Sequence, residues 1–448
     1  MHKFLILCAA VVQLYRYVAA GQNVLTGSAA FGDYRNDAPG VRRKITPADL
    51  PPPAPSDEFN QTRIVARPAN ELPKVPANFA VELLITDLRQ PRLLRTAPNG
   101  DVFVSEGVAN QISILRRNDS GHVDRFIYAT REQGLDQPFG IAFHPHGDNP
   151  THVYIANTGS IVRFSYKNGD TVAQAAAEVV TDQIPKEGHW TRDIIFSPDG
   201  QSMFVAVGSF SNVQANPTDN EVDRAMILKF NLDGTGKTQF ATGIRNPVTI
   251  ASHPDTGVLW TSVNERDGLG DNIVPDYITR VNANQFYGWP WYYIGNNTDP
   301  RHAGKVPENV PSVSIPEVLI QAHSASLQMA FYTGNHFPAE YKNDVFAAQH
   351  GSWNRLNRTG YKVIRVLEEN GAPSGVYEDF MTGFVSASGE VYGTPVGVAV
   401  AKDGSLWVSD DGSNSVWRVW YTDSGAEMHI SSLFLMVFAF ALALFVRM

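Results

Sequence analysis

Four short stretches of this 448-residue chain collect side chains able to do chemistry. Gly188-His189-Trp190-Thr191-Arg192 presents an imidazole, whose ordinary pKa of about 6.5 lets it accept a proton at neutral pH. The plain alternative is a surface histidine in a loop. Gly243-Ile244-Arg245-Asn246-Pro247 presents a guanidinium, a planar donor fork for carboxylates and polarised oxygens, and its Asn-Pro step favours an extended turn. Arg245 would otherwise staple neighbouring segments together. Asn264-Glu265-Arg266-Asp267-Gly268-Leu269-Gly270-Asp271 combines carboxylates with glycines, and hard oxygen ligands with pliable backbone carbonyls suit Ca2+. Glu265, Asp267, Gly268 and Asp271 are the candidate ligands. The spacing is not that of an EF-hand, so a solvated acidic turn is the competing reading. Gln349-His350-Gly351-Ser352-Trp353-Asn354-Arg355 concentrates an imidazole, an indole face, an amide and a guanidinium. That set could stack on and hydrogen-bond a flat anionic cofactor, or be a chance cluster in a loop. Tyr287-Gly288-Trp289-Pro290 reads as core packing. No GxGxxG, Walker A or GxSxG pattern occurs, so those nucleotide sites and an α/β-hydrolase elbow have no support.

The elements that must position these residues recur along the chain. Pro98-Asn99-Gly100, Pro145-His146-Gly147, Pro198-Asp199-Gly200, Pro254-Asp255-Thr256-Gly257, Asn343-Asp344 and Asp403-Gly404 each precede a β-rich run. Those runs cover residues 101–106, 153–156, 203–208, 258–263, 345–350 and 406–410. Asn-Gly and Asp-Gly supply hairpin turns, and alternating β-branched and aromatic residues supply strands. Apolar strands stand before five of the turns, at residues 93–96, 140–143, 193–196, 249–252 and 397–400. Further strands follow at residues 112–115, 161–166 and 416–420. Four strands per repeat in radial repetition predict an all-β, six-bladed β-propeller over residues 77–422, with a long insertion after Asp267. A β-sandwich or two unrelated β-domains is the alternative. In a propeller, loops from every blade meet at the channel mouth, just before the recurring strand pair, which is where His189 and Arg245 stand.

Composition narrows the function classes. The chain is 43% hydrophobic, enough for a large core, and carries 36 basic against 45 acidic residues, a net charge of −9. An acidic chain without a basic run is a poor nucleic-acid binder, because phosphate neutralisation drives that affinity. Residues 1–20 read as a secretory signal peptide and contain Cys8, the one cysteine. The mature chain then has no disulfide, zinc-thiolate site or cysteine nucleophile. Residues 21–76 form a leader rich in proline, which disfavours helix and central strand. It is expected as extended chain laid over a domain or as a stalk. At the far end, small residues Ser424-Gly425-Ala426 precede a short apolar tail, an order that fits a GPI-attachment signal over residues 423–448 better than a membrane span. Sequons at Asn60, Asn118, Asn296 and Asn357 agree with a secreted glycoprotein at the cell surface, attached to the membrane through a lipid.

Taken together, Arg245-Asn246-Pro247, the 264–271 loop with Val274-Pro275-Asp276-Tyr277, Tyr287-Gly288-Trp289-Pro290 and His350–Arg355 resemble the quinoprotein sugar dehydrogenases. The closest branch is that of the L-sorbosone dehydrogenase-like enzymes and fungal pyranose dehydrogenases, related to the soluble glucose dehydrogenase. The resemblance runs from about Asn78 to Tyr421. It implies a six-bladed propeller that binds pyrroloquinoline quinone (PQQ) and Ca2+ on the channel axis and oxidises a sugar at C1. On that footing His189 is the base for the sugar C1 hydroxyl and Arg245 faces the quinone oxygen being reduced. Asn246 joins the cofactor contacts, and the segment near Asp267 and Gly268 gives Ca2+ its carbonyl ligands. Two departures stand out. Ser209 occupies the place of a carboxylate behind the base. The arginines that hold the quinone carboxylates near the last blade are replaced around Thr394-Pro395, which leaves Arg92, His350 and Arg355 to carry that charge, with Trp353, Asn354 and Thr394 as further contacts. No haem domain or cellulose-binding module is expected, so electrons would leave to an external acceptor. A calcium-dependent lactonase and a non-enzymatic surface propeller that binds a protein partner are the competing readings.

Overall fold

The computed structural model describes residues 23–55, 59–213 and 221–422. The signal-peptide and C-terminal anchor readings lie outside the described residues. Six sheets, each with four antiparallel strands at its heart, make six blades. Blade 1 runs Leu94–Thr96, Val102–Glu106, Gln111–Arg117 and Val123–Ala129. The innermost strands of blades 2 to 6 are Gly140–His144, Ile194–Phe196, Pro247–Ser252, Ser326–Phe331 and Pro395–Val400. Five of the six turns are those the sequence predicts, whereas Asn343-Asp344 ends a long link instead of a hairpin. Gly100, with φ +100°, sits in a left-handed conformation that a β-carbon would disfavour.

The ring closes by joining the two ends of the propeller. Phe79–Ile85 pairs with Ser415–Tyr421 as the outer strand of blade 6, with Phe79 opposite Tyr421 and Val81 opposite Val419. Closure of this kind leaves the sheet ring without an open seam. No turn signal announces Phe79–Ile85. The inner strand of blade 5, Ser326–Phe331, also escapes sequence reading. A long link separates it from Val345–Gln349, and that link is held by aromatic packing of Tyr332, Phe337 and Tyr341 rather than by a tight turn.

Apolar residues from several blades meet on the axis. Leu93, Phe139, Ile141, Val248, Leu327 and Val396 belong to one buried cluster drawn from blades 1, 2, 4, 5 and 6. Burial of such surface is the main favourable contribution to folding. Innermost strands have one edge without a strand neighbour, and buried polar side chains serve it across the blades. Gln328 of blade 5 accepts from Leu94 N at 2.8 Å and Val398 N at 3.1 Å and donates to Leu94 O at 2.7 Å. Asp193 before blade 3 accepts from Ile250 N at 3.0 Å, and Thr249 of blade 4 donates to Leu327 O at 2.9 Å. These polar residues in apolar strands are paired, as buried polar groups must be.

The leader lies against the propeller. Proline density predicts no strand there, yet Val24–Leu25 and Arg42–Arg43 extend blade 5 at its outer edge. Both pairs lie outside the proline run, which explains the difference. Arg43 is fully buried and bonds Asp379 at 2.8 Å and Asp37 at 2.9 Å, while Lys362 bonds the same two carboxylates, each at 2.8 Å. Charges removed from water persist only when paired in this way.

Candidate active site

The loops entering blades 3, 4 and 5 meet at one mouth of the ring around a cavity of about 260 Å³. His189 stands on the blade 3 entry. Its Nδ1 lies 2.8 Å from the carbonyl oxygen of Ser209 and 3.1 Å from the Ser209 hydroxyl. A carbonyl only accepts, so Nδ1 carries the hydrogen and Nε2 keeps a free lone pair. Burial, reinforced by the positive charge of Arg245, lowers the His189 pKa to about 3. The ring is therefore neutral at ordinary pH, the state a proton acceptor needs. Gly208 makes room for it, because a β-carbon there would lie 2.7 Å from the His189 β-carbon and 2.2 Å from Asn246 Oδ1.

Arg245, 3% exposed, reaches the cavity from the blade 4 entry. It donates to Asn264 O and to Asn212 O and Oδ1, each at 3.2 Å, and lies 3.3 Å from Asp267 Oδ2. Asp267 Oδ1 accepts from Asn354 Nδ2 at 2.7 Å and faces His323 Nδ1 at 3.4 Å. Burial alone would raise the Asp267 pKa, but Arg245, His323 and Asn354 outweigh it and hold Asp267 ionised. Burial also works against a charged His323, and Asp267 reverses the balance, so the His323 pKa is raised. The cavity therefore holds two histidines of opposite character. His189 is driven neutral, and His323 is drawn toward its cationic form.

Two further carboxylates line the floor. Burial raises Glu265 to about 7 and Asp276 to about 6, and the Asp276 charge adds to the Glu265 shift. Asp276 Oδ1 accepts from Glu265 N at 2.9 Å. Both groups bind protons more readily folded than unfolded, so their protonated forms favour folding below pH 4 and that contribution is lost as pH rises through 6 to 7. In calcium-free, cofactor-free protein, Glu265→Gln and Asp276→Asn are thus expected to raise the melting temperature at pH 8 by roughly 2–5 °C. No gain is expected at pH 4. Thermal melts at the two pH values check this, and an equal shift at both would contradict buried, proton-hungry carboxylates.

The remaining sequence candidates divide into three groups. Glu265, Asp267, Trp353 and Asn354 line the cavity with His189 and Arg245, and Asn246 is buried beside His189 with its Oδ1 unpartnered. Arg92, His350 and Thr394 gather at Asp411. Arg92 Nη1 lies 2.6 Å from Asp411 Oδ2, and His350 Nε2 and Thr394 Oγ1 lie 3.0 and 2.5 Å from Oδ1. Arg92 also faces the Trp190 ring at 5.4 Å. Gly268, Asp271 and Arg355 stand outside the cavity lining. Arg355 is spent on Ala322 O and Asn272 Oδ1, and Asp271 accepts from Leu356 N. Among the described residues no three His, Cys, Asp or Glu side chains converge on a ready-made metal site. A hard cation here would draw on amide and backbone oxygens, such as Asn264 Oδ1, which is buried without a donor.

Sequence reasoning missed Asn212, Asp276 as a lining residue, His323 and Asp411. His323 enters blade 5 at the position equivalent to His189 and Arg245, so the positional rule would have found it had Ser326–Phe331 been recognised. His323 and Ala325 both have positive φ, +64° and +54°, a strain typical of functional sites.

Residues 73–285 and 303–422 match the TrAA12-like family model. A protein of Borreliella burgdorferi described only as uncharacterised is 30% identical over 364 residues, 78% of this chain and 90% of that one. The holo PQQ domain of pyranose dehydrogenase from Coprinopsis cinerea superposes with a TM-score of 0.65 at 20% identity, covering 81% of this chain and 100% of that domain. The calcium structure of the family AA12 enzyme of Trichoderma reesei gives 0.64 at 17% identity, with 81% and 99% covered. At these identities the two structures speak for the fold.

Proposed function

Because this chain belongs to the TrAA12-like family, we propose that it is a PQQ- and calcium-dependent oxidoreductase that oxidises an aldose or ketoaldose at C1 and passes the electrons to an external acceptor. The observation that carries the reading is His189, a neutral imidazole with Nδ1 tied to Ser209 and Nε2 free, in one cavity with the buried cation Arg245.

The donor set suits the implied groups. Arg245 Nε and Arg92 Nε are buried without partners, and Asn246 and Asn264 each keep an unpartnered oxygen. Arg92 and His350 would hold the carboxylates of the quinone, with Asn246, Trp353 and Asn354 beside them, and Arg245 would face its reducible oxygen. Asn264, Glu265 and backbone oxygens near Asp267 would hold Ca2+. When bound, the quinone supplies a hydride acceptor and Ca2+ polarises it as a Lewis acid. The protein's own part begins with His189 Nε2, which accepts the proton of the sugar C1 hydroxyl. Ser209 fixes the tautomer that leaves Nε2 free. Arg245, itself buried, sets positive charge beside the reacting oxygens, and charge shielded from water acts most strongly.

We place the protein at the cell surface, secreted by its signal peptide and attached through a GPI anchor. The four sequon asparagines, Asn60, Asn118, Asn296 and Asn357, are all exposed, as glycosylation requires.

Reconstitution tests the function. Apo-protein mixed with PQQ and Ca2+ is expected to reduce an artificial dye with at least one member of a sugar panel, and a chelator is expected to reverse it. Lactone hydrolysis with Ca2+ alone, or no dye reduction under any cofactor condition, would overturn the proposal in favour of a lactonase or a binding protein.

A further inference from the structure

The leader makes contacts that its anchorage does not require. It is moored at the outer edge of blade 5 by the buried Arg43, Asp37, Asp379 and Lys362 network. From there it crosses to the catalytic mouth and touches the two loops that furnish Asp267, Trp353 and Asn354.

The first contact is a single hydrogen bond. Residues 51–55 read Pro-Pro-Pro-Ala-Pro, so only Ala54 has an amide hydrogen, and it donates to Leu269 O at 2.7 Å. A proline before and after keeps the segment stiff and extended. The approach is close enough to exclude a side chain on the loop, because a β-carbon on Gly270 would lie 2.8 Å from Ala54 O, and Gly270 has φ +131°. Gly270 O in turn accepts from His323 Nε2 at 2.9 Å, and His323 faces Asp267. The second contact brackets Trp353 and Asn354. Asn60 N donates to Arg355 O at 3.0 Å. Arg358 donates to Asn60 O, Asn60 Oδ1 and Gln61 O at 3.0, 2.9 and 2.8 Å. Thr62 Oγ1 lies 2.7 Å from Tyr361 OH, which donates to Ser352 O at 2.6 Å.

We propose that residues 51–55 and 59–62 are a strap that positions the active site, its two ties setting the place of Asp267 against that of Trp353 and Asn354. The proposal rests on the quinone oxidoreductase reading above. Ala54, Asn60 and Thr62 act through the loops they hold and touch neither substrate nor cofactor. A leader serving stability alone would affect melting without affecting the site. A strap affects substrate and cofactor affinity while the blade 5 mooring keeps the fold intact.

The test uses the full chain. Ala54→Pro deletes the one donor and leaves the neighbouring prolines unchanged, and Ala54→Ser keeps the amide hydrogen. Ala54→Pro is expected to raise both the sugar KM and the PQQ Kd, the latter read by tryptophan fluorescence, by roughly tenfold, the size of one lost hydrogen bond. Its melting temperature should stay within a few degrees of wild type, and Ala54→Ser should restore both constants. Thr62→Val, which loosens the second tie, is expected to shift both constants in the same direction by a smaller factor. Unchanged KM and Kd in Ala54→Pro and Thr62→Val overturn the strap, and so does a variant that unfolds at assay temperature, since that assigns the leader to stability. Failure of the wild-type chain itself to bind PQQ or oxidise a sugar overturns the functional reading instead.

Discussion

His189→Ala is expected to lower sugar turnover by roughly 10²–10⁴-fold while leaving PQQ affinity within a few-fold of wild type. The size follows from losing a general base, and the selectivity follows from geometry. The His189 ring is held from behind by Ser209, at 2.8 Å from the carbonyl, and among the described residues nothing else lining the cavity offers a neutral nitrogen with a free lone pair. His323 cannot substitute, because both its ring nitrogens are engaged, with Asp267 and Gly270 O, and its pKa is raised. The pH profile gives a second check. With its pKa lowered to about 3 by burial and by Arg245, His189 is unprotonated throughout the working range and sets no acid limb above pH 5. Ser209→Asp would place a carboxylate behind Nδ1, favour the charged ring and move an acid limb upward into the measurable range. Near-normal turnover of His189→Ala removes the residue from the role. A limb near pH 6.5 that survives both Glu265→Gln and Asp276→Asn contradicts the low pKa.

Arg245→Met is expected to be nearly as severe, with sugar turnover down by roughly 10²–10³-fold, the cost of one preorganised charge at a reacting oxygen. PQQ affinity should fall with it, which separates this variant from His189→Ala. The substitution also takes from Asp267 the guanidinium 3.3 Å from its carboxylate and leaves it His323 and Asn354, and losing one partner of a largely buried pair is destabilising. The double variant Arg245→Met with Asp267→Asn removes the under-compensated charge. It is expected to recover melting temperature without recovering activity, so a stability defect and a chemical one are told apart. Arg245→Lys keeps the charge but loses the planar fork shared among Asn212, Asn264 and Asp267, and should regain only part of the loss. Wild-type turnover in Arg245→Met would refute the assignment.

Much of the architecture is legible in local chemistry. Asn99-Gly100, Asp199-Gly200 and Asp403-Gly404 can hardly be anything but hairpin turns, and the strands they link appear where the alternation places them. What escaped has a non-local cause. Phe79–Ile85 earns its strand only by meeting Ser415–Tyr421 from the other end of the propeller, and no local pattern encodes such a partner. Ser326–Phe331 lacks a tight turn to its neighbour, and with that strand went His323, which stands just before it. At the site, His189 and Arg245 are readable because they precede recognisable strands. The 264–271 loop is less so. Its carboxylates look equivalent in sequence, but folding separates them. Glu265 and Asp267 turn into the cavity, while Asp271 accepts from Leu356 N outside it. The composition of a loop gives its chemistry, and only the packing of its neighbours gives its direction. The leader illustrates the same point, since its prolines are obvious and its one useful amide, at Ala54, is not.

The most direct test of the central claim is a single turnover without oxygen or dye. Protein reconstituted with PQQ and Ca2+ is mixed with the best sugar of the panel, in ordinary form and with deuterium at C1, and the quinone absorbance is followed. Loss of that absorbance, slower with the deuterated sugar and slowed by orders of magnitude in His189→Ala, is the predicted result. A quinone spectrum that no sugar changes, or a rate indifferent to both the deuterium and His189, would contradict it.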